Sequence, residues 1–389
     1  MSSSADTPGE SVIKDQSKAQ AFAGRMLEIL NGSLLGLMIS IGYQTNLFDV
    51  ISKLPGPTTS AEIAKAADLH ERYVREWLGA MVTAKIIEYD PTTRKYRLPP
   101  EHAAFLTKDA GIDNIAVFMQ YISLMGDVEH KVIECFRKGG GVPYSEFPRF
   151  QQLQAQDTAR VFDARLIDQI IPLVDGLADR LKVGIDVLDV GCGQGHAINL
   201  MARHFPISRF AGYDISKEGI ETANQEAKQM GLKNVKFEVK DIASIREHEK
   251  YDLITAFDVI HDQAQPAKVL KSVYEALRSR QEGGGVTREG GAGGGIFLMQ
   301  DIAASSKLEE NLANPLGPTL YSISTMHCMT VSLAYGGEGL GTVWGRQKAE
   351  EMLKEAGFSN KIEVKEVPGD IFNYYYIARK DGAQESLRR

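Results

Sequence analysis

The chain has 389 residues, with 44 Lys+Arg against 51 Asp+Glu and a formal net charge of -7. Its 43% hydrophobic and 24% charged content fit an ordinary globular protein, long enough for two or three cored domains. The acidic balance argues against general phosphate binding and so against a nucleic-acid partner. Three scattered cysteines, Cys135, Cys192 and Cys328, exclude a disulfide framework or zinc spacing and point to a reducing, cytoplasmic compartment.

Residues 1–19 are polar and read as a disordered tail. No secretory or membrane segment is expected: the apolar run at 33–41 is too short to span a bilayer. From 20 to 52, Phe22, Met26, Ile29, Leu30, Leu34, Leu37, Met38 and Ile41 recur at helical spacing. They occupy too much of the helix circumference for a one-sided surface helix. Such a helix is expected to be buried in a core or against a second copy, so a homodimer built by these helices is anticipated. Gly42 to Phe48 should break the helix and restart it.

Residues 57–106 form a compact pattern. Thr59 and Glu62 make a capping box, and a turn at Asp68–His70 follows. A second helix from Glu71 to Thr83 points Val74, Trp77, Leu78, Met81 and Val82 inward. Two short strands, 86–89 and 95–98, surround Asp90-Pro91-Thr92-Thr93. This succession resembles a winged helix. Arg72 and Arg75 could serve a DNA-reading helix, but Glu71 and Glu76 dilute them, so docking is favoured over DNA binding. Residues 107–164 are mainly helical and complete a first domain, 20–164, assigned to dimerisation and to covering the substrate. Tyr43, Tyr121 and Met125 are candidate substrate contacts, although such a stripe is usually plain core.

The second domain, 165–380, is organised around Ile185 to His196. An apolar strand runs into Gly191, Gly193 and Gly195, and a helical pattern begins at once. Strand, glycine turn and helix bring a ligand close to bare backbone. Asp189 lies two residues before the first glycine. A second strand, 209–213, ends in Asp214 beside Ile215, where a carboxylate can accept both hydroxyls of a ribose. A third, 235–239, leads to Asp241-Ile242, an acid and an apolar side chain suited to the amine edge and face of adenine. A fourth, 251–257, ends in Phe257-Asp258 and runs on to Val259-Ile260-His261-Asp262. The glycine spacing departs from the nicotinamide-type G-x-G-x-x-G, the competing reading.

Asp189-Val190-Gly191-Cys192-Gly193-Gln194-Gly195, Asp214, Asp241-Ile242 and Phe257-Asp258 together resemble the class I S-adenosylmethionine-dependent methyltransferases, over roughly 165–380. The resemblance implies an α/β, Rossmann-like sheet, mostly parallel with an antiparallel last strand, preceded by the helical winged-helix domain. It implies S-adenosylmethionine as cofactor and S-adenosylhomocysteine as product, held by the residues just named. A winged helix ahead of such a domain resembles the small-molecule O-methyltransferases and their bacterial relatives, in which it mediates dimerisation. The expected reaction is methyl transfer to an O, N or S atom of a small molecule. The alternative is a cofactor-sensing, DNA-binding regulator that has lost catalysis.

Within this frame His261, flanked by Asp258 and Asp262, is the leading general base, and it would also contact substrate. His327 is the rival base and a substrate contact, with Tyr321, in a long excursion over 302–345. Cys192 reads as a small residue beside the ligand, not a nucleophile. No metal is expected. The glycine-dense stretch 281–295 reads as a flexible insertion, and 381–389 as a tail. Two terminal strands joined through Pro368-Gly369-Asp370 should pair antiparallel.

Overall fold

The computed structural model describes residues 15–147, 149–279, 294–358 and 362–380. The chain divides into two compact units, Met1–Ser123 and Leu124–Arg389. The division falls some forty residues before the 164/165 boundary expected, because the helices after Ser123 pack with the sheet unit.

The first unit begins with α1, Gln16–Gln44, whose N-terminus is capped by Asp15 accepting from the Lys18 amide. The expected tail therefore ends earlier, and its residues 1–14 lie outside the described set. A short helix α2, Leu47–Lys53, precedes α3, Ser60–Ala67, and α4, Glu71–Thr83. The Thr59–Glu62 capping box forms as anticipated. Strands β1, Glu88–Asp90, and β2, Lys95–Arg97, pair antiparallel as the wing. Helix α5, Pro100–Leu106, follows. Trp77 organises the core: its Nε1 donates to the Met38 carbonyl at 2.8 Å and its ring meets Phe48 edge-on at 5.2 Å. Gly42 is required by this contact, since a Cβ there would lie 2.5 Å from the Trp77 ring.

Only the second half of α1 joins that core, through Gly36, Ile39, Ser40 and Gly42. Phe22, Met26, Leu27, Ile29, Leu30 and Leu34 are exposed in the chain. Of the two covers expected for this helix, the chain's own core accounts for the second half alone. Among the described residues α1 alone is long and apolar enough to cross a membrane.

Helix α6, Gln120–Gly126, contains the boundary between the units. The second unit continues with α7, Glu129–Lys138, and α8, Phe150–Arg165, which runs through a π-helical turn at Leu166–Ile170 toward α9, Leu177–Val183. The α/β succession then reads β3 Asp186–Val190, α10 His196–His204, β4 Arg209–Asp214, α11 Lys217–Gln229, β5 Val235–Val239, β6 Leu253–Phe257, α12 Pro266–Ala276 and β7 Ile296–Ile302. The excursion that follows is largely helical: α13 Leu308–Asn311, α14 Gly317–Ile323, a π-helical turn Ser324–Cys328, and α15 Met329–Ala334. Helix α16, Gly345–Ala356, and strands β8, Glu363–Lys365, and β9, Asn373–Arg379, close the fold.

The seven strands are ordered β5-β4-β3-β6-β7-β9-β8, with β9 antiparallel to both its neighbours. This is the expected parallel sheet with an antiparallel finish. Chain order reverses between β3 and β6, which opens the crevice where α/β sheets bind ligands. Buried clusters cover both faces, one on the side of α12 and α16, the other on the side of α9 and α10. Of the glycine-dense stretch, 281–293 lie outside the described residues. Gly294 and Gly295 are buried, and Gly295 pairs with Arg278 and Lys380, so the last two residues assigned to the insertion belong to the fold.

Candidate functional site

The glycine loop leaves β3 at Val190. Gly191, Gly193 and Gly195 all have positive φ. At Gly195 no other residue fits: a Cβ would lie 2.5 Å from Ala223 Cβ and 2.7 Å from the Phe237 ring. The Gly193 amide donates to Asp214 Oδ2 at 2.8 Å, and the Ser216 amide to Oδ1 at 2.8 Å. Asp214, at the end of β4, is thereby fixed against the loop, and burial raises its pKa against these bonds. Each carboxylate oxygen has a further lone pair for an outside donor. Asp241 stands at the end of β5, with Oδ1 held by the Ala243 amide at 2.9 Å. Ile242 beside it is buried, while Ile215 is exposed.

Asp189 is placed differently from the other acids. It is buried beneath the loop and accepts from Thr255 Oγ1 at 2.7 Å, with burial pushing its pKa up to about 7. It supports the loop from below. Burial also raises the Cys192 thiol, which argues for a space-filling role over a nucleophilic one.

The end of β6 and the end of β7 form the second half of the site. Phe257 packs on Phe162 at 4.8 Å, and Asp258 adopts a left-handed backbone with φ 63°. His261 is buried. Its Nδ1 donates to Asp301 Oδ1 at 2.9 Å. The same oxygen accepts from Trp344 Nε1 at 2.9 Å and from the Ile302 amide at 2.8 Å. Burial alone would lower the His261 pKa, but Asp301 and Cys328 outweigh it and hold the ring well above its ordinary value. Burial raises Asp258 to about 7 and Asp262 to about 6, each opposed by the His261 charge. Asp258, His261 and Asp301 place ligand atoms within 4.8 Å of one another. With Nδ1 donating to Asp301, however, that nitrogen holds a proton and offers no lone pair to a cation.

The orienting carboxylate was expected from Asp258 or Asp262. It is Asp301, forty residues along, with Asp258 at 4.0 Å. A strand-end acid in Met299-Gln300-Asp301 was the available signal, of the same kind that marked Asp189 and Asp214. No signal marked Trp344.

The π-helical turn at Ser324–Cys328 carries His327 and Cys328, both buried. A π-turn widens the helix, so these neighbours can share an inward face, and such turns recur at functional sites. His327 stacks on Phe150 at 3.8 Å and 11°, with Phe147 at 4.6 Å and Tyr144 at 5.6 Å. Among the described residues neither ring nitrogen has a hydrogen-bond partner. Burial, aided by the His261 charge, lowers its pKa to about 3. Burial thus works against protonation of this ring, which argues against His327 as the rival base. Tyr321 accepts from Asn311 Nδ2 at 3.1 Å and braces the excursion. Met125 is buried in the same unit, while Tyr43 and Tyr121 belong to the first unit.

Comparison with known proteins agrees with this fold. Residues 33–108 match the family described as Rv2258c-like winged HTH domain, and 181–357 match the family described as Methyltransferase domain. A ubiquinone biosynthesis O-methyltransferase of Candida albicans is 34% identical over 102 residues, 26% of this chain and 30% of that one. An (S)-coclaurine N-methyltransferase of Papaver somniferum is 30% identical over 99 residues, 25% of this chain and 28% of that one. The match therefore spans less than a third of either relative. Among solved structures, human N-acetylserotonin methyltransferase in complex with SAM is 19% identical, with TM-score 0.66 over 96% of this chain and 100% of that one. An O-methyltransferase family protein of Burkholderia thailandensis is 12% identical, with TM-score 0.65 over 93% and 99%. At such identities the likeness establishes the fold.

Proposed function

We propose that the chain is an S-adenosylmethionine-dependent methyltransferase that carries a winged helix ahead of the methyltransferase domain, and that it methylates a small molecule at an atom that must lose a proton. The observation that carries this reading is the buried His261–Asp301 pair at the strand ends, Nδ1 to Oδ1 at 2.9 Å. S-adenosylmethionine supplies the methyl group already activated on a sulfonium. The loop fits this cofactor: Gly191 to Gly195 expose backbone, Asp214 retains acceptor capacity for a ribose, and Asp241 with Ile242 stands ready for the adenine.

The protein's remaining tasks are to align the acceptor, exclude water and take the proton. Asp301 fixes the His261 ring through Nδ1, which leaves Nε2 as the atom that exchanges a proton. An acceptor hydroxyl or amine bonded to Nε2 loses its proton to the ring as the new bond forms. An S acceptor arriving as a thiolate needs no such help, so the pair favours O or N. His327 and Tyr321 are proposed substrate contacts, His327 as a neutral hydrogen-bonding group.

The regulator alternative is disfavoured by the second winged-helix element. Arg72 pairs with Glu76, and Arg75 with Glu71, at 3.5 Å in the latter case. Those cations are spent within the helix and give no basic face. We further propose that the exposed apolar residues of α1 meet a second copy, giving a homodimer, and that the free cysteines reflect a cytoplasmic setting. The function is tested by incubating candidate acceptors with S-adenosylmethionine and following S-adenosylhomocysteine release. Turnover that survives His261→Ala undiminished with a hydroxyl or amine acceptor contradicts the assigned base.

A further inference from the structure

Gly193 and Gly195 lie at a junction of three helices. A Cβ on Gly219 of α11 would sit 2.8 Å from the Gly193 carbonyl and 3.2 Å from Gln151 Oε1 of α8. Gln194 Nε2 reaches the Gln151 carbonyl at 3.5 Å. The N-termini of α8 and α11 therefore both close on the cofactor loop. The next residue after the loop is His196, the first of α10, with little exposed surface. Its Nδ1 faces Glu226 Oε1 of α11 at 2.6 Å, and its Nε2 faces Asp163 Oδ1 of α8 at 3.0 Å. Glu226 Oε2 is held separately by Asn199 Nδ2 at 2.8 Å.

We propose that His196 is a positioning residue that, as an imidazolium, clamps α8 and α11 to α10 and so holds the glycine loop in its cofactor-binding form. The chemistry of the ring requires the charge. Two carboxylates can both be satisfied only if both nitrogens donate, and a neutral imidazole donates from one. In the neutral ring a lone pair faces a carboxylate oxygen and that arm opens. The Asp163 arm is the one that yields, because Asp163 is mostly exposed, whereas Glu226 is half-buried and also bonded to Asn199.

The titratable groups facing the ring are Asp163 from α8 and Glu226 from α11. Burial works against the charge, and these two carboxylates overcome it, raising the His196 pKa. The clamp is therefore complete below about pH 6.5, the ordinary histidine value, and is lost as pH rises through the higher folded value. Cofactor affinity should fall with it.

The test is calorimetric titration of the full chain with S-adenosylhomocysteine between pH 6 and 9, for wild type, His196→Gln, Asp163→Ala and His261→Asn. The ligand's own titration is common to all four, so the differences carry the result. The expected outcome is that wild type and His261→Asn lose affinity about three- to tenfold more across this range than His196→Gln and Asp163→Ala do. At pH 6 the latter two should already bind that much more weakly, with the Asp163→Ala melting temperature near wild type because the removed side chain is largely exposed. The same pH slope in all four proteins overturns the proposal, as does loss of the slope in His261→Asn alone. Absence of binding at every pH overturns it together with the cofactor assignment.

Discussion

His261 and Asp301 set the chemistry at the scale of single residues. A base acts in its neutral form, and this ring is held above its usual pKa, so turnover should rise with pH along a limb lying above about 6.5. Asp301→Asn removes the charge that favours the imidazolium. The limb should move to lower pH, and kcat should fall as the ring loses its orientation. His261→Ala should cost about 10²- to 10⁴-fold in kcat while leaving S-adenosylhomocysteine affinity within a few-fold. A pH–rate profile unchanged in Asp301→Asn would deny the pair its role. The sequence marked His261 because it follows a strand end, and Asp214 because it ends a strand near the glycines. It could not mark which acid holds the ring, since Asp258, Asp262 and Asp301 all sit at the same sheet edge. Only the lateral pairing of β6 with β7 brings Asp301 to Nδ1 and leaves Asp258 at 4.0 Å.

Local rules carried far at the element scale. The Thr59–Glu62 box and the β3 to glycine turn to α10 transition were legible because capping chemistry and positive φ each demand particular residues. Gly195→Ala tests that reading. It imposes a left-handed backbone on a side chain that would also strike Ala223 and Phe237. A loss of about 1–2 kcal/mol or more is expected from the backbone alone, read as a lower denaturation midpoint, with weakened cofactor binding. Wild-type stability and affinity in Gly195→Ala would show that the loop tolerates another shape. The excursion was less legible. Its length marked 302–345 as a functional excursion, but the π-turn at Ser324–Cys328 leaves no signature in apolar spacing. Without it, His327 and Cys328 could not be assigned to one inner face. For helix α1, periodicity reports that apolar residues must be covered, not whether the chain's own core or a second copy covers them.

For the molecule as a whole, charge and apolar surface decide how the parts are used. Arginines paired within α4 take positive charge away from the helix that would read DNA, and the exposed stripe on α1 is the surface proposed to meet another copy. The double variant Leu27→Glu and Leu30→Glu places like charges in that stripe. It should convert a dimer to a monomer in light scattering without changing the fold seen by circular dichroism. A wild-type monomer at micromolar concentration would contradict the interface. The mostly parallel sheet with an antiparallel finish was anticipated because glycine loop, strand-end acids and terminal hairpin occur in one succession, whereas the strand order, with its reversal between β3 and β6, came from the structure.

If the ends of β3, β4 and β5 hold S-adenosylmethionine, calorimetric titration with S-adenosylhomocysteine should show it. One site per chain is expected, weakened by roughly 1.5–3 kcal/mol in Asp214→Ala, about ten- to a hundredfold, and kept within a few-fold in His261→Ala. Undiminished affinity in Asp214→Ala, or preferential binding of NAD by the wild type, would contradict it.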